Sequence, residues 1–257
     1  MNDNGSDVTS QLRGQAGVVT LCRPPHNYFD EHSVARLLAA FRAFEADGNC
    51  RAIVLCSQGR SFCAGADFGG DGNGIDVEIA GRIYQSAIAL FAITKPIVVA
   101  VQGMAIGGGL GLALVGDFRI AAEEARFSAN FARLGIHSGF GISATLPAVV
   151  GRQAALLLLE TGRRIDAAEA LRFGLVERVV PAGELMDAAL DLAGEIASAA
   201  PLAVGSMRQT LVGNRASVVA AAIEREIAEQ RIHFQSEDFR EGIRAAQERR
   251  PPVFRGR

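Results

Sequence analysis

The sequence predicts an α/β core followed by an all-helical C-terminal part, and three observations lead to this prediction. Short, continuous apolar runs such as Ala52–Cys56 and Ile97–Val101 are typical of strands buried on both faces. Segments with apolar residues at helical spacing alternate with these runs. Beyond about residue 151 the pattern is almost entirely helical. We therefore expect a core over residues 1–190 and a helical region over residues 191–257.

The elements of the core follow from the spacing and type of its apolar residues. In the first helix, for example, Val34, Leu37 and Phe41 fall on one face. In chain order the expected elements are a strand at Val18–Cys22, a helix at Glu31–Phe44, strands at Ala52–Cys56 and Ile97–Val101 separated by a helix at Ile79–Phe91, and a weaker strand at Phe118–Ala121.

The C-terminal part contains one extended segment among its helices, at Leu175–Val180. The expected helices are Gln153–Glu160, Ala167–Phe173, Glu184–Ala199, Pro201–Val212 and Ser217–Glu248. The apolar run Pro96–Val115 is long enough to span a membrane. Its glycines and β-branched residues favour a strand, a turn and a helix instead.

Composition excludes several classes of function. The 257 residues carry 26 Lys and Arg against 28 Asp and Glu, so the basic excess of a nucleic-acid or anionic-membrane surface is missing. The N-terminus is polar and has no apolar signal core, which predicts a cytoplasmic protein. The four cysteines lack metal-type spacing, and we expect neither a metal nor a membrane or nucleic-acid partner.

Glycine is the outlier of the composition, with 29 residues, over half of them in three short windows. The windows are Gly59–Gly74, Gly103–Gly116 and Gly135–Gly141. The first two follow predicted strands, where glycine permits a sharp turn that leaves backbone amides unpaired. Two such amides directed at one oxygen would stabilise an enolate or another oxyanion.

Three long motifs carry a family resemblance over nearly the whole chain. They are FCAGAD from Phe62, KPIVVAVQGMAIGGGLGLALVGDFRIAAEEARF from Lys95, and LLETGRRIDAAEALRFGLVERVVP from Leu158. In this order they resemble the enoyl-CoA hydratase/isomerase (crotonase) superfamily. The resemblance implies a spiral of ββα units, a helical trimerisation region, and a trimer or a dimer of trimers. It also implies an acyl-CoA thioester as substrate, with no separate cofactor.

The resemblance assigns roles to particular residues. The thioester oxygen would lie between the amides of Ala66 and Gly108, which we take as catalytic groups. Ala64 would contribute backbone to adenine binding, and Arg249 falls where members carry a basic residue near the CoA phosphate, often from a neighbouring subunit. Asp67 ends the first motif, where we expect it to fix the substrate-binding loop by accepting backbone hydrogen bonds.

The sequence departs from the family at the positions that carry catalytic carboxylates. The two glutamates that place and deprotonate water would stand at Gly111 and Phe131, and the aspartate of other branches would stand near Gly139. None of these residues can transfer a proton, so hydration by two glutamates is not expected. Phe131 and Phe140 instead predict an apolar pocket for the acyl group.

His137 is the candidate for the missing acid or base, because histidine titrates near neutral pH. Its alternative role is to cap a helix or bind backbone. Asp71, Asp76, Glu78 and Tyr84 are further candidates on the stretch after the first motif. The expected reactions are double-bond isomerisation, an atypical hydration or carbon–carbon cleavage through a thioester enolate. The alternatives are an acyl-CoA hydrolase and a non-catalytic CoA-binding scaffold.

Overall fold

The computed structural model describes residues 7–67 and 77–257. The strands are β1 (Val8–Arg13), β2 (Ala16–Leu21), β3 (Ala52–Ser57), β4 (Ile97–Val101), β5 (Met104–Ile106), β6 (Phe118–Ala122), β7 (Arg126–Ser128), β8 (Arg164–Asp166) and β9 (Arg178–Val180). The helices are α1 (Glu31–Ala46), α2 (Val77–Ala87), α3 (Gly108–Ala113), α4 (Ile142–Thr161), α5 (Ala167–Arg172), α6 (Leu185–Ser198), α7 (Pro201–Val212), α8 (Arg215–His233) and α9 (Glu237–Gln247).

The main sheet has the strand order β1-β2-β3-β4-β6-β9. β1 is antiparallel to β2, and the other neighbours are parallel. β3 and β4 are buried along almost their whole length because apolar side chains cover both faces. The larger core lies on the face covered by α1 and α2, while α6 covers the other face with Leu185, Ala189 and Ala193. The predicted α/β fold class is confirmed.

A smaller sheet, β5-β7-β8, carries the chain from the main sheet to the first turn of α3. The apolar run Pro96–Val115 is divided among β4, β5 and α3, so the strand–turn–helix prediction is confirmed. Within residues 7–67 and 77–257, α4 is the one helix that by itself has the length and apolar composition of a membrane span. Its backbone is interrupted at Gly151.

Two differences from the expected elements have local causes. β1 was not expected because five of its six side chains are not buried, as an edge strand allows. The single helix expected over Ser217–Glu248 is wrong, because α8 ends at His233 and a new helix begins after Ser236. The Ser236 hydroxyl accepts the Phe239 N–H at 3.0 Å and so caps α9.

The C-terminal helices divide between the core and its surface. The expected boundary at residue 190 falls inside α6, a continuous helix that packs on the main sheet. α8 returns to the core and contacts α2 and α4. α7 has no buried residue, and three of its large apolar side chains are exposed: Leu202, Met207 and Leu211.

Candidate active site

The first donor turn, Cys63–Asp67, is held between two backbone partners. Cys63 forms a parallel bridge with Ala105 of β5, and Ala66 forms one with Phe29. In the second bridge the Phe29 N–H donates to the Gly65 carbonyl at 3.1 Å, and the Asp67 N–H donates to the Phe29 carbonyl at 2.6 Å. Because successive N–H groups of an extended chain point to opposite sides, the Ala66 N–H points away from Phe29.

The second donor turn is Gly107–Gly109, between β5 and α3. Gly107 has φ 55° and ψ −123°, a conformation that is accessible to glycine. A Cβ on Gly109 would lie 2.0 Å from the Cys63 carbonyl oxygen, so only glycine fits between the two turns. α3 begins at Gly108, whose N–H belongs to the first turn of a helix and has no partner inside it.

The two turns bring Ala66 and Gly108 together. A Cβ placed on Gly108 would lie 3.5 Å from the Ala66 nitrogen and 2.8 Å from Cζ of the buried Phe29 ring. In the part of the chain that the structure describes, neither amide donates a hydrogen bond. Two adjacent unpaired N–H groups over an apolar ring are suited to bind one oxygen that gains negative charge.

Aromatic rings occupy the space at all three positions where the resemblance leads one to expect carboxylates. A Cβ on Gly111 would lie 2.7 Å from Cδ1 of Phe140. A Cβ on Gly139 would lie 2.5 Å from the Tyr84 ring and 2.7 Å from its hydroxyl oxygen. Phe131 is buried, and its Cζ would lie 3.9 Å from a Cβ on Gly107. This wall presents rings in place of the carboxylates that would hold water.

Phe140 is the centre of an aromatic cluster. Its ring packs edge-to-face against Phe29, Tyr84 and Phe91, with ring centres 5.2, 6.1 and 6.2 Å apart. The side chain is fully buried, so its neighbours in the structure are protein groups. The backbone of Phe140 has φ 63°, a left-handed conformation that is unusual for a residue other than glycine.

His137 is half-buried and is tied to α8 rather than to the donor turns. Its N–H donates to Nδ1 of His233 at 3.2 Å, and its carbonyl accepts Nε2 of Gln230 at 2.8 Å. The ring nitrogen Nδ1 lies 3.0 Å from the Ser138 carbonyl oxygen and 3.4 Å from the Ser138 hydroxyl. Among the described residues no hydrogen bond occupies Nε2 of His137, which is compatible with both expected roles, backbone binding and proton transfer.

Glu226 of α8 is a buried carboxylate that the sequence analysis missed. It lies on the same helix face as the buried side chains Ile223, Ile227 and Gln230, a pattern that would have revealed it. The pKa of Glu226 is raised, because burial outweighs the hydrogen bonds from Ser143 and Gly141 and the charge of His137, which lower it.

Tyr84 lies beside this carboxylate. Burial raises the pKa of Tyr84, and the Glu226 carboxylate raises it further, whereas a hydrogen bond with Gln230 lowers it. The phenol therefore keeps its proton at and well above neutral pH.

The remaining predicted residues have separate surroundings. Ala64 donates its N–H to the His26 carbonyl at 2.9 Å. Asp67 is exposed, and its carboxylate lies 3.8 Å from Arg23. Arg249 is exposed near the C-terminus, with φ 54°.

Of the further acid–base candidates, Glu78 forms a two-pronged ion pair with Arg231 at 3.1 and 3.2 Å. Asp71 and Asp76 lie outside the described residues. The described residues contain no group of three or more His, Cys, Asp or Glu side chains able to hold a metal.

Comparison with known proteins adds an independent finding. The family model described as enoyl-CoA hydratase/isomerase matches residues 13–257. A carnitinyl-CoA dehydratase of Salmonella enteritidis is 34% identical over 246 residues, which cover 93% of this chain and 94% of that protein.

Solved structures agree in fold. An enoyl-CoA hydratase/isomerase from Pseudoalteromonas atlantica superposes with a TM-score of 0.84 and 32% identity, covering 97% of this chain and all of that one. An enoyl-CoA hydratase from Mycobacterium avium gives a TM-score of 0.82 at 29% identity, covering 97% and 99% of the two chains.

Proposed function

Since this chain belongs to the enoyl-CoA hydratase/isomerase family, we propose that it binds an acyl-CoA thioester and stabilises its enolate between the amides of Ala66 and Gly108. The observation that carries the proposal is the adjacency of these two unpaired donors, since a Cβ built on Gly108 would lie 3.5 Å from the Ala66 nitrogen. Such donors are worth most where charge develops in the transition state, and removing one from an enzyme lowers kcat by about 10²–10³.

The rings beside Gly107, Gly111 and Gly139 restrict the reaction class. Removal of the α-proton from the thioester leaves an enolate oxygen, which the two amides hold without any change in the protein. The ring wall of Phe131, Phe140 and Tyr84 disfavours addition of water by paired carboxylates. Isomerisation, carbon–carbon cleavage or an atypical hydration remain as outcomes. The relative named carnitinyl-CoA dehydratase suggests removal of water as one form of the last reaction.

His137 is the acid–base group of this proposal, because it is a half-buried imidazole on the loop that carries Phe140. For the CoA part we propose the backbone of Ala64 at the adenine, Asp67 as support of the first donor turn, and Arg249 at a phosphate. We also propose that Phe131 and Phe140 make the surroundings of the acyl group apolar, Phe140 from within the core because its ring is fully buried.

The test is exchange of the α-protons of phenylacetyl-CoA with D2O, followed by NMR. This exchange requires only enolate formation and reprotonation, so it does not depend on knowing the natural acyl group. We expect exchange in the native protein, and binding of the thioester by calorimetry. Binding without exchange would favour the non-catalytic scaffold over the enzyme. Release of free CoA would favour the acyl-CoA hydrolase. Absence of binding would contradict the proposal as a whole.

His137→Ala separates the two roles of the histidine. If the imidazole moves the proton, the exchange rate falls by about 10²-fold or more while the thioester still binds. His32→Ala is the matched control, since His32 is an exposed residue of α1. An exchange rate equal to that of the native protein would remove His137 from the mechanism.

We also propose that the chain forms a trimer or a dimer of trimers through its C-terminal region. The exposed side chains Met207 and Leu211 of α7 border a cleft of about 760 Å³ between α4, α6, α7 and α8, and Leu202 is exposed on the same helix. Exposed apolar surface of this kind marks interfaces. Sedimentation of the native protein and of Leu202→Glu/Leu211→Glu tests this assignment, and a native monomer would contradict it.

A further inference from the structure

Glu226 joins α8 to the start of α4. Its Oε2 accepts the Gly141 N–H at 2.7 Å, and its Oε1 accepts the Ser143 N–H at 2.9 Å and the Ser143 hydroxyl at 2.6 Å. Gly141 is the N-cap of α4 and has no side chain to bind the first amides of the helix. The carboxylate of a distant helix therefore performs the capping, in the region where a helix favours negative charge.

The capped amides fix a strained backbone. Phe140 and Gly141 are consecutive left-handed residues, with φ 63° and 72°. A non-glycine residue held in this region costs about 1–3 kcal/mol and persists only where its surroundings enforce it. Glu226 holds the C-terminal end of this pair, because it binds Gly141 directly and Ser143 just beyond.

This backbone determines where the Phe140 ring lies. The ring occupies the space beside Gly111 and packs against Phe29, whose own ring ends at the Gly108 donor. Direct contacts thus connect Glu226, through Gly141 and Phe140, to the Phe29 ring beside the Gly108 donor.

The same carboxylate also reaches the His137 side of the loop. The Ser138 hydroxyl lies 3.5 Å from Oε1 of Glu226 and 3.4 Å from Nδ1 of His137. Glu226 itself is fully buried, and both of its oxygens are occupied by the loop. It therefore has no path to a substrate atom and acts through its neighbours.

We infer that Glu226 is a positioning residue, which sets the Phe140 ring and the His137–Ser138 segment relative to the Ala66–Gly108 donors. The inference rests on the proposed function, because it assigns Glu226 to the geometry of that same site. Its two acceptor oxygens are the essential property, since three N–H or O–H donors point at both of them and the NH2 group of an amide cannot accept a hydrogen bond.

The test compares Glu226→Gln, which keeps the volume, with Glu226→Asp, which keeps the charge. α-Proton exchange of phenylacetyl-CoA gives kcat and KM. We expect Glu226→Gln to lose about tenfold or more in kcat with KM within about threefold, because misplacement affects the reacting geometry more than binding. Glu226→Asp should retain more kcat than Glu226→Gln. A role in packing alone reverses that order, and this reversal would overturn the inference.

Glu229→Gln is the matched control. Glu229 lies on the same helix outside its buried face and forms an ion pair with the exposed Arg225. The control variant should leave kcat and KM unchanged. If Glu226→Gln does not fold, Ser138→Ala decides the question, since it removes only the hydroxyl that lies between Glu226 and His137. We expect a lower kcat from Ser138→Ala, and an unchanged kcat would overturn the inference.

Hydrogen exchange of the Gly141 and Ser143 amides separates this inference from the proposed function. Glu226→Gln should increase exchange at both amides, while Glu226→Asp and Glu229→Gln should not. If the native protein shows no α-proton exchange, the enolate proposal fails. Protection of the Gly141 and Ser143 amides then tests the positioning role of Glu226 by itself. Unchanged protection in Glu226→Gln would overturn the inference whatever the activity.

Discussion

The two walls of the candidate site are built in different ways. The donor wall consists of backbone: Gly107 and Gly109 permit a turn that places the Gly108 amide beside that of Ala66. The facing wall consists of side chains, with the rings of Phe140 and Tyr84 filling the space beside Gly111 and Gly139. The comparison teaches that backbone geometry alone can bring two unpaired amides together, while side chains from distant segments are needed to fill the space beside Gly111 and Gly139.

The donor wall is most sensitive to a methyl group at Gly109. Gly109→Ala would place a Cβ 2.0 Å from the Cys63 carbonyl oxygen, so the two donor turns must separate. We expect the α-proton exchange rate to fall by about 10²–10³, the effect of losing one oxyanion donor.

Gly194→Ala controls for the substitution itself. Gly194 lies in α6 with open space around its Cα, so alanine should stabilise the protein by about 0.5–1 kcal/mol and leave the rate unchanged. A Gly109→Ala protein with native activity would contradict the assignment of the donor wall.

The facing wall can be tested by restoring a carboxylate. Gly111→Glu places its Cβ 2.7 Å from Phe140, and we expect a loss of about 1–3 kcal/mol in the free energy of unfolding from overpacking. In Gly111→Glu/Phe140→Ala the overlap is removed, so the double variant should be more stable than the sum of the single effects predicts, by about 1 kcal/mol or more.

Urea unfolding gives the free energy of unfolding of Gly111→Glu, of Phe140→Ala and of the double variant. Gly48→Glu is the control, because no atom lies within 4 Å of a Cβ at that exposed position. Additive effects of Gly111→Glu and Phe140→Ala would show that the two residues do not share one space.

Tyr84→Phe tests whether the facing wall uses the ring or the hydroxyl. If the ring fills the space beside Gly139, the exchange rate stays within about threefold, and the lost buried hydrogen bond lowers stability by about 1 kcal/mol. A fall of 10² or more would instead make the hydroxyl a proton donor.

The raised pKa of Tyr84 also predicts a pH dependence of stability. The unfolded chain releases the phenolic proton near pH 10, before the folded protein does. Stability contributed by the neutral buried phenol is therefore lost as the pH rises above about 10. Tyr84→Phe should remove this alkaline loss in a series of unfolding curves. Tyr28→Phe, at the exposed second tyrosine, should retain it.

Backbone-encoded features were the ones that the sequence predicted well. Ile97–Val101 and Pro201–Val212 are a strand and a helix with the predicted bounds, because an apolar run and a helix-starting proline are local signals. The adjacency of Ala66 and Gly108 was foreseen from two glycine motifs of known family context. These signals can be read directly from the order of the residues along the chain.

The facing wall depends on contacts between distant segments, so the sequence revealed only what was missing there. Gly111 and Gly139 were recognised as lacking carboxylates, but not that Phe140 and Tyr84 fill the space beside them. Glu226 was missed because its partners stand more than 80 positions earlier in the chain. The break between α8 and α9 was missed because a short capped turn hardly interrupts the helical pattern.

Incubation with crotonyl-CoA, with loss of the enoyl absorbance as the readout, tests the contrast between the walls most directly. The donor wall predicts that calorimetry detects binding of the thioester. The facing wall predicts that the absorbance persists, because the described residues present rings at the positions where paired carboxylates would place and deprotonate water. Hydration at about 1–10³ turnovers per second, the usual range of enzymes, would contradict the account.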